Sequence, residues 1–128
     1  MPWPAFNFPA ASGLAMEQVI ANKQMEAGMR YNLNSAGSLD MTLPLAVNAT
    51  SNDIIEIISE KNTGGFVVKQ NADQLIRFLN TTTTPGTGGT LTLNTSSGVL
   101  KGSVTLICTS DDGLEWVAYP SGGNLTAA

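Results

Sequence analysis

Short alternations of apolar and polar residues fill the chain from residue 24 onward, and no other feature constrains its fold as strongly. Every second side chain of a β-strand faces the same side, so an alternation of this kind predicts a strand with one buried face. The first run spans residues 24–33 and has its apolar side chains at Met25, Ala27, Met29, Tyr31 and Leu33.

Further short runs follow, separated by Gly, Pro, Asn, Asp, Ser and Thr, which are the residues that favour turns. These runs are residues 39–43, 54–58, 66–70, 75–79, 91–93, 104–109 and 115–119. Asp111, Asp112 and Gly113 give a strong hairpin signal between the last two runs. Residues 80–90 favour an exposed loop, and residues 121–126 favour a flexible tail or an exchanged strand.

About eight strands without helices between them predict an all-β fold, either a small antiparallel β-sandwich or a jelly-roll-like barrel. A parallel α/β fold would require crossover helices, and the pattern has none. The run at residues 54–58 is apolar on both faces except at Glu56. It therefore predicts a central strand in which this carboxylate has a partner.

Residues 1–23 differ from the rest of the chain because they combine aromatic rings and prolines and have no charged side chain before Glu17. Each residue before a proline is restricted to extended geometry, so residues 1–9 are expected to be extended. Three rings in such a segment cannot bury one another. We therefore expect an N-terminal docking arm (residues 1–23) followed by a β knob domain (residues 24–128), with the anchoring side chains Trp3, Phe6 and Phe8.

After the prolines, the apolar residues change their spacing. Met16, Val19 and Ile20 recur at i, i+3 and i+4, and Ser12 is a suitable helix N-cap. This pattern predicts a short helix at the end of the arm, whose single apolar stripe adds to the docking surface.

The composition excludes several classes of function. Six Lys and Arg residues, scattered singly, stand against ten Asp and Glu residues, which argues against nucleic acid as a partner. No apolar run approaches the ~20 residues of a membrane span, so no membrane partner is expected. Histidine is absent, so neither a Ser-His-Asp nor a Cys-His site can form within the chain. We expect no enzyme activity, no cofactor and no metal, because the carboxylates Glu56, Asp111 and Asp112 favour structural or turn roles.

Three further side chains have two interpretations each. Cys108 lies in a strand-like run, which favours a buried apolar role over a reactive thiol. Trp116 and Tyr119 in the last run are expected to be core and edge aromatics. The alternative is that these two rings bind a host-surface glycan by stacking.

The chain from Met29 to its end resembles a small β domain of tail-fibre and other accessory virion proteins of tailed bacteriophages. Order and spacing are similar over about 100 residues, with one departure at Asp73, where the resemblance leads us to expect Gly. The matching segments are Leu39-Asp-Met-Thr-Leu-Pro, Asp53-Ile-Ile-Glu-Ile, Gly64-Gly-Phe-Val-Val-Lys-Gln-Asn-Ala-Asp-Gln-Leu-Ile, Thr84-Pro-Gly-Thr-Gly-Gly, Leu106-Ile-Cys and Trp116-Val-Ala-Tyr-Pro-Ser-Gly-Gly-Asn-Leu-Thr.

An arm followed by one such domain looks like a capsid decoration (cement) protein or a short head fibre. The resemblance implies a homotrimer on the capsid surface, bound through the arm to the major capsid protein or another virion component. Because their strand follows directly on the arm, Met25, Met29 and Tyr31 are the candidates for the trimer interface. The alternative is a tail-fibre adhesin whose knob binds a host-surface glycan through residues 80–90 or through Trp116 and Tyr119.

Overall fold

A computed structural model describes residues 14–59, 64–94, 102–122 and 124–128 of the 128-residue chain. These residues form two β-sheets that enclose one hydrophobic core, which confirms the prediction of an all-β sandwich. Their strands are β1 (Ala15–Val19), β2 (Lys23–Gln24), β3 (Met29–Leu33), β4 (Leu39–Thr42), β5 (Ile54–Ser59), β6 (Phe66–Lys69), β7 (Leu75–Phe78), β8 (Thr81–Thr82), β9 (Thr90–Asn94), β10 (Gly102–Cys108), β11 (Glu115–Gly122) and β12 (Asn124–Ala127). One 3-10 turn, Ala46–Asn48, lies between β4 and β5.

The strand order shows how the chain divides itself between the sheets. The larger sheet has seven strands in the order β1-β3-β5-β10-β11-β7-β8, and the smaller sheet has five in the order β12-β9-β6-β4-β2. As predicted, β5 is an interior strand, with β3 on one side and β10 on the other. The predicted hairpin between β10 and β11 is also present, and Gly113 in its turn has a φ of 76°.

The directions of the strands differ from the antiparallel arrangement that we expected. From β1 to β7 the chain passes alternately from one sheet to the other. From β1 to β6, strands two apart in sequence are therefore neighbours and run parallel, whereas β7 pairs in parallel with β11. Among the described strands, five of the ten pairings are parallel and five are antiparallel. A connection that crosses between sheets returns the chain to the first sheet in its original direction, whereas a hairpin would reverse it.

The helix predicted around Met16, Val19 and Ile20 is wrong, because residues 15–19 form the edge strand β1. β1 runs parallel to β3, with Ala15 opposite Met29 and Val19 opposite Leu33. A short apolar stripe does not stabilise an isolated helix. Pairing with β3 instead gives hydrogen-bond partners to the backbone N–H and C=O groups along one edge of β1.

The single strand predicted at residues 24–33 is divided in two. β2 belongs to the smaller sheet and β3 to the larger one, and the crossing between them turns at Gly28, whose φ is 83°. Only glycine adopts this left-handed geometry without steric cost. The alternation is nevertheless correct for burial, because Met25, Tyr31 and Leu33 all enter the core.

The core lies between the two sheets and contains side chains from both. Cys108 is among these residues, as expected, and burial raises the pKa of its thiol. The largest fully buried side chains are those of Trp116, Tyr31, Phe66, Met25, Leu33 and Met41.

The segment 80–90 is mostly exposed, as expected, but it is not entirely a loop. It contains β8, and Thr83 and Gly89 are buried. The predicted flexible or exchanged tail is instead β12, which pairs antiparallel with β9 of the same chain. Ala128 continues this pairing, since its N–H donates to the Thr90 carbonyl at 2.9 Å.

Candidate interaction face

The outer side of the seven-stranded sheet presents side chains that the core does not use. In β5 the residues Ile55, Ile57 and Ser59 are buried, so the alternate residues face outward. The same alternation in β10 turns Ser103, Thr105 and Ile107 outward. The strand register then places these outward side chains in three rows across the sheet.

The first row is almost entirely aliphatic. Ile54 lies opposite Ile107 on the neighbouring strand, and Ile107 lies opposite Val117 on the next. Arg77 ends the row on β7. Cross-strand neighbours in register are about 4.5–5.5 Å apart, so the three aliphatic side chains form one continuous strip.

The second row has apolar ends and a charged centre. Met16 is opposite Arg30, Arg30 is opposite Glu56, and Glu56 is opposite Thr105. Tyr119 closes the row beside Thr105. The two ends are well exposed, with 62% of Met16 and 55% of Tyr119 open to solvent.

The third row runs beside the second. Gln18 is opposite Asn32, Asn32 is opposite Ile58, and Ile58 is opposite Ser103. The only aliphatic side chain of this row is therefore that of Ile58. Taken together, the outward apolar side chains form what we call the apolar face, which consists of Met16, Ile54, Ile58, Ile107, Val117 and Tyr119.

The charges on this side of the sheet pair with one another. Arg30 Nε lies 2.5 Å from Glu56 Oε1, and Arg77 Nη2 lies 2.9 Å from Glu115 Oε1. Among the described strands of this sheet, these two positive and two negative charges balance one another.

The outer side of the five-stranded sheet has the opposite character. Asp40 and Lys69 form an exposed ion pair there, with 3.6 Å between Lys69 Nζ and Asp40 Oδ2. Thr92 pairs in register with Val67, which is the aliphatic residue of β6 that faces outward. A Thr-rich, ion-paired surface is typical of a sheet side that faces water.

One end of the sandwich is fastened by an amide cluster that consists of Gln70, Asn71, Gln74 and Thr83. Gln74 Nε2 donates to the carbonyls of Pro44 at 2.8 Å and Gly113 at 3.1 Å. Gln74 Oε1 accepts the backbone N–H of Asn71 at 2.8 Å. Because Gln74 is fully buried, each of these bonds replaces one that water would otherwise make.

Gln70 ties a second set of loops to the same cluster. Its Nε2 donates to the carbonyls of Gln74 at 2.6 Å, Gly86 at 2.9 Å and Thr84 at 3.0 Å. Its Oε1 accepts the hydroxyl of Thr83. The amide cluster therefore fixes the backbones near residues 44, 74, 84, 86 and 113. We did not predict it, because two glutamines beside a turn sequence look like solvent-facing residues, and their partners are distant in sequence.

The residues expected to form the docking surface differ in their exposure. Trp3, Phe6 and Phe8 lie outside the described residues. Met16 is exposed on the apolar face and Ile20, which is 72% exposed, follows β1. Val19 is buried, which corrects its assignment to a docking surface, because the inward side of β1 packs on the core.

The candidates for the trimer interface are also corrected. Met25 is 1% and Tyr31 0% exposed, so their side chains pack inside one chain and cannot contact another. The hydroxyl of Tyr31 accepts the backbone N–H of Glu26 at 2.7 Å. Met29 is partly buried against the same core. Met29 and Tyr31 mark the inner side of β3, and Arg30 lies on the accessible side of that strand.

Of the two aromatics considered for glycan stacking, only one is accessible. Trp116 is completely buried and its Nε1 donates to the Gly113 carbonyl at 3.2 Å, so it is a core residue. Tyr119 remains exposed on the apolar face. Glu56, expected to need a partner, has one in Arg30.

One cleft lies apart from the apolar face. It has a volume of about 490 Å³ and lies beside the 3-10 turn, where polar backbone and apolar side chains mix. Its lining residues are Gln24, Met25, Glu26, Ala27, Pro44, Leu45 and Asn48.

Among the described residues there is no group of three or more His, Cys, Asp or Glu side chains that could hold a metal ion. The helical part of the described chain is a single short turn, and it contains no helix that could span a membrane.

Comparison of the chain with models of protein families, with curated proteins and with solved structures finds no match.

Proposed function

We propose that this chain is a structural virion protein of a tailed bacteriophage, either a capsid decoration (cement) protein or a short head fibre on the capsid surface. It binds the major capsid protein or another virion component through its N-terminal segment, with Trp3, Phe6 and Phe8 as anchors. It forms homotrimers and displays the β-sandwich as a knob. The resemblance of its sequence motifs to accessory virion proteins supports this class.

The observation that carries the proposal is the position of β1. The aromatic-rich residues 1–13 continue through Leu14 into β1, which is an edge strand of the sheet that bears the apolar face. The aromatic-rich sequence thus leads directly into a strand that contributes Met16 to the apolar face. Buried aromatic side chains dominate the energetics of protein interfaces, so this arrangement favours a binding protein.

The body supports a role as a preformed knob. The amide cluster joins loops from several parts of the chain, and Gln74 alone bonds to backbone atoms near residues 44, 71 and 113. A body that is ordered before binding loses little conformational entropy when it binds. Many copies on a repeating shell would also convert a modest affinity per copy into firm retention.

The test is attachment to phage particles that lack this protein. A chain without residues 1–10 should keep both sheets, because β1 begins at Ala15, but it should not bind the particles. A chain with Trp3, Phe6 and Phe8 all changed to Ala should fail in the same way, and Asn7→Ala is the matched control that should bind. Attachment of the truncated chain at full-length affinity would show that the N-terminal segment is not the anchor.

Copy number in intact particles separates this proposal from its alternative. Hundreds of copies fit a decoration protein, whereas about a dozen fit a tail adhesin that binds a host-surface glycan. The exposed ring of Tyr119 is the observation that favours the adhesin, since aromatic faces stack on sugars. In that case Tyr119→Ala should abolish binding to the host surface while Tyr119→Phe preserves it.

A further inference from the structure

We propose that the apolar face is the surface through which copies of this chain contact one another. This inference rests on the self-association in the proposed function, and it names a contact surface in place of Met25 and Tyr31. It does not depend on where the assembled protein is located.

The two outer sides of the sandwich differ in polarity. One side presents Ile54, Ile107 and Val117 in an unbroken strip, and the other presents threonines and an exposed ion pair. An antiparallel or mixed sheet that faces water on one side normally has polar residues there. Ile54 is exposed and Ile107 and Val117 are half-buried, so the strip is a partly exposed apolar surface. Contiguous apolar surface that remains open to solvent marks an interaction site.

The charge distribution of the chain favours a second copy as the partner that covers the apolar face. Each chain has a net charge of −4, so two copies repel one another over most of their surfaces. On the side with the apolar face, the charges of the described strands balance, because Arg30 pairs with Glu56 and Arg77 pairs with Glu115. Contact between two copies through these strands therefore brings ion pairs together and adds no repulsion from their four charges.

Partners with a strong charge fit this surface poorly. A nucleic acid or an acidic protein would need clustered Lys and Arg side chains, and a basic partner would need unpaired carboxylates. The four charged groups of the described strands on this side already satisfy one another. A surface with paired charges and an aliphatic strip beside them can pack against the same surface of a second copy.

The size of the surface sets the expected strength of the contact. Seven strands at about 4.8 Å spacing and about five residues of about 3.4 Å each give a footprint of roughly 500 Å² per copy. A stable protein pair buries about 800 Å² per partner, so a contact between two copies should depend on concentration. A closed trimer would strengthen it, since each copy then contacts two others.

The experiment measures the mass of the full chain by light scattering and sedimentation equilibrium between about 1 and 100 µM. We expect the wild-type chain to assemble with rising concentration. Ile107→Lys, at the centre of the aliphatic strip, should leave a monomer over this range. Val67→Lys is the matched control, because Val67 is the outward aliphatic residue of the opposite, polar side, and this variant should assemble like wild type.

Two further measurements keep the result interpretable. Circular dichroism and thermal unfolding of dilute samples test whether Ile107→Lys folds, and Tyr119→Ser at the rim is the second variant if it does not. A wild-type chain that stays monomeric at about 100 µM, or an Ile107→Lys chain that is folded and assembles normally, overturns the proposal.

The outcome is separable from that of the proposed function. A monomer that still attaches to particles would overturn the self-association and leave the attachment in place. An assembly that fails to attach would overturn the virion role and leave the apolar face as the contact between copies. A dimer that Ile107→Lys dissociates would support the surface and overturn the three-fold assembly.

Discussion

Arg30 and Glu56 are 26 residues apart in the chain and face each other in register on the parallel strands β3 and β5, with 2.5 Å between Arg30 Nε and Glu56 Oε1. Both side chains are less than one third exposed. Their pairing removes the cost of leaving a half-buried charge alone, and it aligns two strands that no hairpin connects.

A double-mutant cycle with Arg30→Gln and Glu56→Gln should show coupling. We expect each single change to lower the free energy of unfolding by about 1–2 kcal/mol, because each leaves the partner charge unpaired in a partly buried position. The double change should cost less than the sum. The exposed pair Arg77 and Glu115 provides the comparison, and its coupling should not exceed about 1 kcal/mol. Additive effects at Arg30 and Glu56 would contradict a stabilising pair.

Disruption of the amide cluster should lower the free energy of unfolding more than is usual for a glutamine substitution. Gln74→Ala leaves the N–H of Asn71 without its partner. It also removes one bond from each of the carbonyls of Pro44 and Gly113, which keep their bonds from Asn71 Nδ2 and Trp116 Nε1. At about 1–3 kcal/mol for the unsatisfied group and about 1 kcal/mol for each lost bond, we expect a loss of about 3 kcal/mol in urea unfolding. Gln18→Ala on the exposed side of β1 is the control and should change stability by less than about 0.5 kcal/mol.

The turn between β10 and β11 requires glycine at residue 113. A Cβ atom added there would lie 2.3 Å from the Ala46 carbonyl oxygen, and the φ of 76° is unfavourable for any other residue. We expect Gly113→Ala to destabilise the fold by roughly 2–4 kcal/mol. Gly88→Ala is the matched control, because nothing lies within 4 Å of its added Cβ. Equal midpoints of thermal unfolding for the two variants would contradict this account.

Leu79 combines two unfavourable features in the turn between β7 and β8. Its φ is 56° and 77% of the residue is exposed, so neither backbone preference nor burial explains a leucine there. Asn tolerates left-handed geometry better than Leu, and we expect Leu79→Asn to raise the free energy of unfolding by about 0.5–1 kcal/mol. Leu45→Asn should give no gain, since Leu45 has a φ of −55°. A stability gain at both positions would show that replacement of an exposed apolar side chain, and not the backbone geometry of Leu79, is the cause.

Alkaline pH should weaken the fold through Cys108. Burial raises the pKa of its thiol, so the folded state keeps the proton at a pH where the unfolded state has lost it. The stabilisation is complete below the unfolded pKa and is lost as pH rises through the folded pKa, beginning at about pH 8.5. Above about pH 8.5 the free energy of unfolding should fall by at most about 1.4 kcal/mol per pH unit, and Cys108→Ala should reduce this slope. Burial also raises the pKa of Tyr31, which would add a loss at higher pH. An unchanged slope in the variant would exclude the thiol as the source.

The sequence predicted the strands of this fold well, because burial follows the period-two pattern almost everywhere. Leu39 and Met41 enter the core as their alternation indicates, and β10 alternates along its whole length. The pattern does not encode which sheet a strand joins. Residues 24–33 keep one alternation through a crossing at Gly28, and only pairing with distant strands decides where each half belongs.

The interaction surface was harder to predict than the core. Met16, Val19 and Ile20 satisfy the spacing of a helix, and long-range pairing with β3 overrides that local signal. Gln70 and Gln74 look like turn residues until their partners up to 39 residues away are known. Asp73, where we expected Gly, has a φ of 64°, which is a left-handed geometry that glycine adopts without steric cost.

The alternation of strands between the sheets has a consequence for how the protein acquires its structure. Ala15 pairs with Met29 and Leu39 pairs with Phe66, so neither sheet can begin from neighbouring segments in the first half of the chain. A fragment that ends before β6 would hold incomplete parts of both sheets and no closed core. We therefore expect the two sheets to form in one cooperative event, which is slow relative to hairpin-based folds because long loops must close first.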